Sequence, residues 1–139
     1  MRTRSELREI CFAFLFVLAF QAEDRAIQER LFLESHPLDD DEVNFFHLIV
    51  DGVLSESEFI EQTITPHLRN WTFERLPLMD KTILRMAVFE MYFVDDIPLS
   101  VSISEAVLLA KKYGDDDARS YINAVLGAIS KNEQLADKE

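Results

Sequence analysis

Three glycines and four prolines in 139 residues are too few for a β-sandwich or barrel, which needs a turn signal roughly every 8–12 residues. Apolar–polar alternation of useful length is missing as well, which leaves an all-helical chain. One cysteine, Cys11, stands in an apolar run. It excludes an internal disulfide and a cysteine-based zinc site, and suits a reducing cytosol. The three histidines, His36, His47 and His67, lack the close spacing of a metal site on one helix face. Positive charge is also scarce. Fourteen Lys and Arg against 26 Asp and Glu give a net charge of −12, the wrong sign for a generic nucleic-acid binder. That charge fits a soluble protein with a basic protein partner, or simply a solvated acidic surface.

No apolar run reaches bilayer length. Ile10 to Phe20 is short of the roughly 20 residues that span a membrane. Glu6 and Glu9 stand where a signal peptide would be basic, so Ser5 to Gln21 reads as a buried first helix of a cytoplasmic protein. Its arginines Arg2, Arg4 and Arg8 lie at or before the first turn, where one side of the helix can meet phosphates.

The chain is organised around Leu76 to Val94. Pro77 suits a first turn, and nothing breaks the helix before Asp95-Asp96-Ile97-Pro98. Met79, Ile83, Met86, Ala87 and Val94 share one face, and Leu84, Val88 and Met91 widen it until only a strip with Lys81, Arg85 and Tyr92 is left for water. A helix so apolar is surrounded by other helices. Glu90 falls in the sector of Met79, Ile83 and Met86, where a carboxylate must find a donor. A structural carboxylate held by Arg, Lys or a helix N-terminus is the first reading. A catalytic acid would need a second polar group and a pocket.

Around it the pattern places six further helices. Glu23 to Ser35 turns Ile27, Leu31 and Phe32 inward, and His36-Pro37 closes it. Asp39-Asp40-Asp41-Glu42 opens the third, acids favouring a helix N-terminus, with Val43, Phe46, Ile49, Val50 and Val53 inward. Ser55 to Glu58 reads as a capping box for the fourth, with Phe59, Ile60, Thr63 and Ile64 inward, before Pro66 kinks it. Ser100 or Ser102, paired with Glu105, caps the sixth, which stops at Gly114. Asp115-Asp116-Asp117 opens the seventh, whose core face is Ala118, Ile122, Val125, Leu126 and Ile129. Tyr121 sits at the margin of that face beside small residues and one turn after Asp117. It is either a boundary tyrosine or a stacking platform for a base. The tail from Lys131 reads as polar and frayed.

Trp71, the run Met79-Asp-Lys-Thr-Ile-Leu-Arg-Met-Ala-Val-Phe-Glu90, Ile97-Pro98, the run Val101 to Gly114, and Tyr121-Ile-Asn-Ala-Val-Leu126 together resemble the NusB family of transcription antitermination factors. Arg8-Glu9 with Ala13, Leu15 and Phe16, and Asp51-Gly52-Val53, extend the likeness to nearly the whole chain. The resemblance implies a seven-helix bundle of two helical subdomains, drawn here at about 1–75 and 76–133, with 134–139 as the tail. It implies a non-enzymatic factor that binds the boxA element of nascent ribosomal RNA leaders together with NusE, a ribosomal small-subunit protein, and feeds an RNA polymerase complex that resists termination. It implies no cofactor. Carried over by position, Arg4, Arg8, Asp117 and Tyr121 correspond to RNA-contacting positions, and Phe16 and Asp80 to positions facing NusE. The family usually has Phe at Tyr121, Tyr at Phe16 and Glu at Asp80.

The departures weigh on the RNA reading more than on the partner reading. The N-terminal segment has lost several arginines and gained Glu6, so the protein alone should bind RNA poorly, with a flatter salt dependence. An acidic surface suits a basic ribosomal protein. A helical protein-binding adaptor is therefore the main rival, and a free-standing enzyme built on Glu90 the weaker one. The bundle also resembles the RNA-binding module of some RNA cytosine methyltransferases, but this chain has no glycine-rich cofactor loop. Monomer and homodimer stay open.

Overall fold

A Thr or Asp followed three residues later by Glu lets each end of the pair satisfy a free backbone N–H of a helix start. The computed structural model, which describes residues 1–20 and 24–138, uses this device twice. Thr3 N–H donates to Glu6 Oε1 at 2.7 Å, and Glu6 N–H to Thr3 Oγ1 at 3.1 Å, which starts α1 (Arg4–Phe20). Asp39 and Glu42 do the same at 3.1 and 2.9 Å for α3 (Asp40–Ser55). Backbone N–H donors hold both glutamates below the usual carboxylate range. Arg2 adds its own N–H and guanidinium to Glu42, each at 3.0 Å, tying the two helix starts together.

Among the described residues seven α-helices follow one another with three short 3-10 turns, and no strand occurs. The all-α expectation holds. The chain divides into two compact units, residues 1–52 and 53–139, so the boundary falls inside α3 and not near residue 75. The expected helix ends at Gln21 and Glu23 lie outside the described residues.

In the first unit, Phe14 of α1, Phe32 of α2 (Arg25–Ser35) and Phe46 of α3 form an aromatic core, with centroids 5.1 to 6.3 Å apart. The expected inward face of α2 holds at Phe32 and fails at Ile27 and Leu31. Ile27 and Leu31 are 46% and 50% exposed. Beside Phe32, which stacks on Phe46, the helix turns Arg25 and Glu29 towards its neighbours: Arg25 pairs with Asp51 and Glu29 with His47 at 2.8 Å, while His36 stacks back on Phe32. Those four positions are themselves one helical stripe. Nor is α1 buried along its whole apolar run, since Val17 and Phe20 reach the surface.

In the second unit, α5 (Leu78–Phe93) packs against α4 (Ser57–Ile64), α6 (Leu99–Tyr113) and α7 (Ala118–Ile129). Every residue from Thr82 to Met91 except Arg85 is buried, so this helix is as central as its composition requires. Neither serine caps α6. Pro98 occupies that position, and Ser102 is buried inside the helix, donating its hydroxyl to Glu90 Oε1 at 3.0 Å. Glu90, 2% exposed, thus has the donor that its burial demands. The capping box at Ser55 is absent too, because α4 starts after Glu56 with no side-chain cap. Asp115 rather than Asp117 caps α7, its Oδ1 accepting from the N–H groups of Asp117 and Ala118 at 3.1 and 3.0 Å. All five apolar residues assigned to the core face of α7 are buried.

The tail is docked, not frayed. Leu135 is buried, and Asn132 donates to the Tyr92 hydroxyl at 2.7 Å. The Lys138 ammonium donates to the carbonyls of Glu90, Met91 and Val94 at 2.8, 2.9 and 2.8 Å. A cation is favourable at a helix C-terminus because it meets carbonyls with no partner of their own in the helix.

Candidate nucleic-acid interface

Phosphate contacts need exposed cations. The first unit offers Arg4, which is exposed, its guanidinium 4.4 Å from the Phe45 ring centroid. Arg8 lies 5.8 Å from the same centroid but is only 4% exposed. The structure brings the two arginines to one ring, yet Arg8 serves the interior where an open phosphate contact was expected. Arg2 is engaged by Glu42. Phe16 lies half-buried in a row on α1, 6.0 Å from Phe12 and 5.0 Å from Phe20. The row ends in the 68%-exposed Phe20, which makes an apolar stripe available to a protein.

Base contacts need an aromatic face beside open space. In the second unit Tyr121 lines a cavity of about 490 Å³ between α7 and the segment 66–71, which contains His67, Arg69, Asn70 and Trp71. The Tyr121 hydroxyl is shielded from water and meets no partner in full hydrogen-bond geometry. Burial raises its pKa, and the Arg69 backbone, close enough to act as a donor, opposes the rise. Asp117 is exposed one turn earlier. The segment 66–71 had no place in the sequence reading of the site, because its residues follow no helical period and come near α7 only through the fold.

Asp80 departs from expectation. The resemblance puts it at a position facing NusE, in the first turn of α5, but it is only 8% exposed. Burial, and then the charge of Asp115, raise its pKa, and no cation among the described residues offsets them. Reversing its charge with Asp80→Lys would bury a lysine, so that variant is a poor test of partner binding. The folded chain holds this proton more firmly than the unfolded chain does. Stability should fall as pH rises from about 4, the ordinary aspartate pKa, to the raised folded value. Asp80→Asn should flatten that slope and leave a protein more stable than the parent at neutral pH. Urea unfolding at a series of pH values checks both. Identical slopes would show that Asp80 does not carry the effect.

A family profile matches residues 5–131, nearly the whole chain. The chain belongs to the NusB family. Among similar proteins, the transcription antitermination protein NusB of Bacillus subtilis strain 168 is 38% identical over 127 residues, covering 91% of this chain and 93% of that protein. T. maritima NusB superposes with a TM-score of 0.86 at 30% identity, over 95% and 94% of the two chains. NusB in a crystal structure of antitermination factors NusB and NusE with dsRNA superposes at 0.83 with 27% identity, over 94% and 98%. The family is one of antitermination factors, not of enzymes. Buried Glu90 accordingly belongs to the packing of α5 on α6. No helix among the described residues is long and apolar enough to cross a membrane, and no cluster of His, Cys, Asp or Glu among them could hold a metal ion.

Proposed function

We propose that this chain acts in the cytoplasm as an antitermination factor that binds the boxA element of a nascent ribosomal RNA leader together with NusE. In that complex it makes RNA polymerase resist termination. The observation that carries the reading is the likeness, over almost the full length of both chains, to NusB in a structure with NusE and dsRNA. The site residues support it with a division of labour. Tyr121 offers a ring beside a cavity, with Asp117 at its approach. Arg4 offers an exposed cation, and Arg8 holds Phe45 beneath it. Phe16 and its exposed neighbour Phe20 suit an apolar contact with NusE, while Asp80 awaits a basic group from it. A cation placed there would offset both influences that raise the Asp80 pKa.

One observation favours a second reading, a helical adaptor with little RNA affinity of its own: of Arg2, Arg4 and Arg8, only Arg4 is exposed and outside an ion pair. Titration of boxA RNA with and without NusE separates the two. In the complex, Tyr121→Ala should cost about 1–3 kcal/mol of binding, the range for a base–aromatic contact, while Tyr121→Phe should be nearly silent. Arg4→Ala should weaken all RNA sequences alike and lower the salt slope by about one unit. If Tyr121→Ala melts early yet binds boxA like the parent, Tyr121 is only a core residue. A complex that never binds boxA is the adaptor. Sedimentation of the free chain decides between monomer and homodimer.

A further inference from the structure

We propose that the cavity between α7 and the segment 66–71 is a slot for one unstacked RNA base, and that Trp71 supplies its second aromatic surface. The inference rests on the RNA-binding reading above and adds a residue to it. Four features of the cavity agree.

Trp71 lines the same space as Tyr121 and is 49% exposed, although an indole is costly to leave in water unless something covers it. Asn70 precedes it with φ at 66°, the single non-glycine residue in the left-handed region among the described residues. Asn adopts this conformation more readily than other side chains, and here it sets the direction in which the chain enters Trp71. Ala124 and Ala128 form part of the wall on α7, small side chains that leave a flat ring room to enter. Finally, a chain with 26 carboxylates lines this cavity with none, while Arg69 and His67 stand in its wall. Asp117 and Asp80 lie near Tyr121 but outside the lining. The volume of about 490 Å³ is within the roughly 300–1,000 Å³ of small-ligand sites. Two aromatic rings, a cationic wall residue and no carboxylate match a base with its phosphate. The aromatic side chain of a protein partner would also meet Arg69 favourably, but it brings no phosphate for the cation to pair with.

Trp71 is the chain's sole tryptophan, so its fluorescence reports on the slot directly. The complex with NusE is titrated with a single-stranded boxA oligonucleotide, following RNA anisotropy and tryptophan emission together, with the complex of the Trp71→Phe variant as the blank. Stacking should quench Trp71 in step with binding. An oligonucleotide carrying one abasic position, moved along the sequence, should lose the quench at one position while still binding. Trp71→Ala should weaken binding about ten- to a hundredfold, with Trp71→Phe restoring most of it. Thermal melts confirm that the variants are folded at the titration temperature.

Binding without any change in Trp71 emission, together with unchanged affinity for Trp71→Ala, overturns the slot but leaves the RNA reading standing. Emission that changes on adding NusE alone, with no further change on adding RNA, makes the cavity a protein contact and overturns it too. Absence of RNA binding by anisotropy defeats the RNA reading and the slot with it.

Discussion

Glu90→Ala is expected to destabilise the protein by about 3–5 kcal/mol, with no direct effect on RNA or partner binding while it stays folded. Two costs combine. The Ser102 hydroxyl, 1% exposed at the residue level, loses its acceptor, and an orphaned buried donor costs about 1–3 kcal/mol. Removing most of a fully buried side chain from the middle of α5 also leaves a cavity, and core truncations of this size cost about 2–5 kcal/mol. Because the costs overlap, the sum stays below their total. Glu90→Gln keeps the acceptor and the volume, so it should lose far less. A cycle with Ser102→Ala should give a coupling of about 0.5–3 kcal/mol. Urea unfolding of the four proteins measures all of this. A stable Glu90→Ala protein that had lost function would instead point to chemistry at the carboxylate.

Gly114→Ala should cost about 1–3 kcal/mol or more, the range for forcing atoms into a packed site. Gly114 needs no special backbone angle. Its constraint is space: a Cβ there would stand 2.6 Å from the Ala118 Cβ and 2.8 Å from the Ala110 carbonyl oxygen. Neither is the loose end of a flexible side chain, so the α6–α7 corner itself must open. Gly127 supplies the contrast, since a Cβ on it would meet nothing within 4 Å. Gly127→Ala should stabilise by about 0.5–1 kcal/mol through helix propensity. Melting temperatures moving in opposite directions for the two variants confirm the assignment. Equal shifts would show that the corner is not tight. Because the corner sets the start of α7, Gly114→Ala should also weaken any binding that needs Tyr121 one turn on.

Both predictions concern positions that the sequence exposes unequally. Glu90 was legible as buried because the helical period puts it in phase with Met79, Ile83 and Met86, and phase survives folding. Its partner was not legible. Ser102 and Glu105 spell a local capping signal, and nothing in that local pattern reveals a carboxylate on another helix. Helix α2 departs from its hydrophobic period for a related reason. Ile27 and Leu31 are a correct amphipathic pair, but the ion pairs of Arg25 and Glu29 and the ring of Phe32 compete for the inner side and prevail. The capping pairs Thr3–Glu6 and Asp39–Glu42 were there to be read and explain acids that otherwise look like lost RNA contacts. Tyr121 entered the site chiefly by resemblance, and Trp71 entered only when folding set the segment 66–71 beside α7.

Lys138 has a consequence for how the protein would be cut. Trypsin must take a lysine side chain and an extended stretch of backbone into its active site. The ammonium of Lys138 is already held by three carbonyls at the end of α5, so cleavage there has to wait for local opening of the tail. Lys131 is exposed just after the end of α7 and carries no such restraint on its side chain. A brief digestion should therefore nick the chain at Lys131 before Lys138. The order should reverse in Leu135→Ala, where the tail loses its buried apolar anchor.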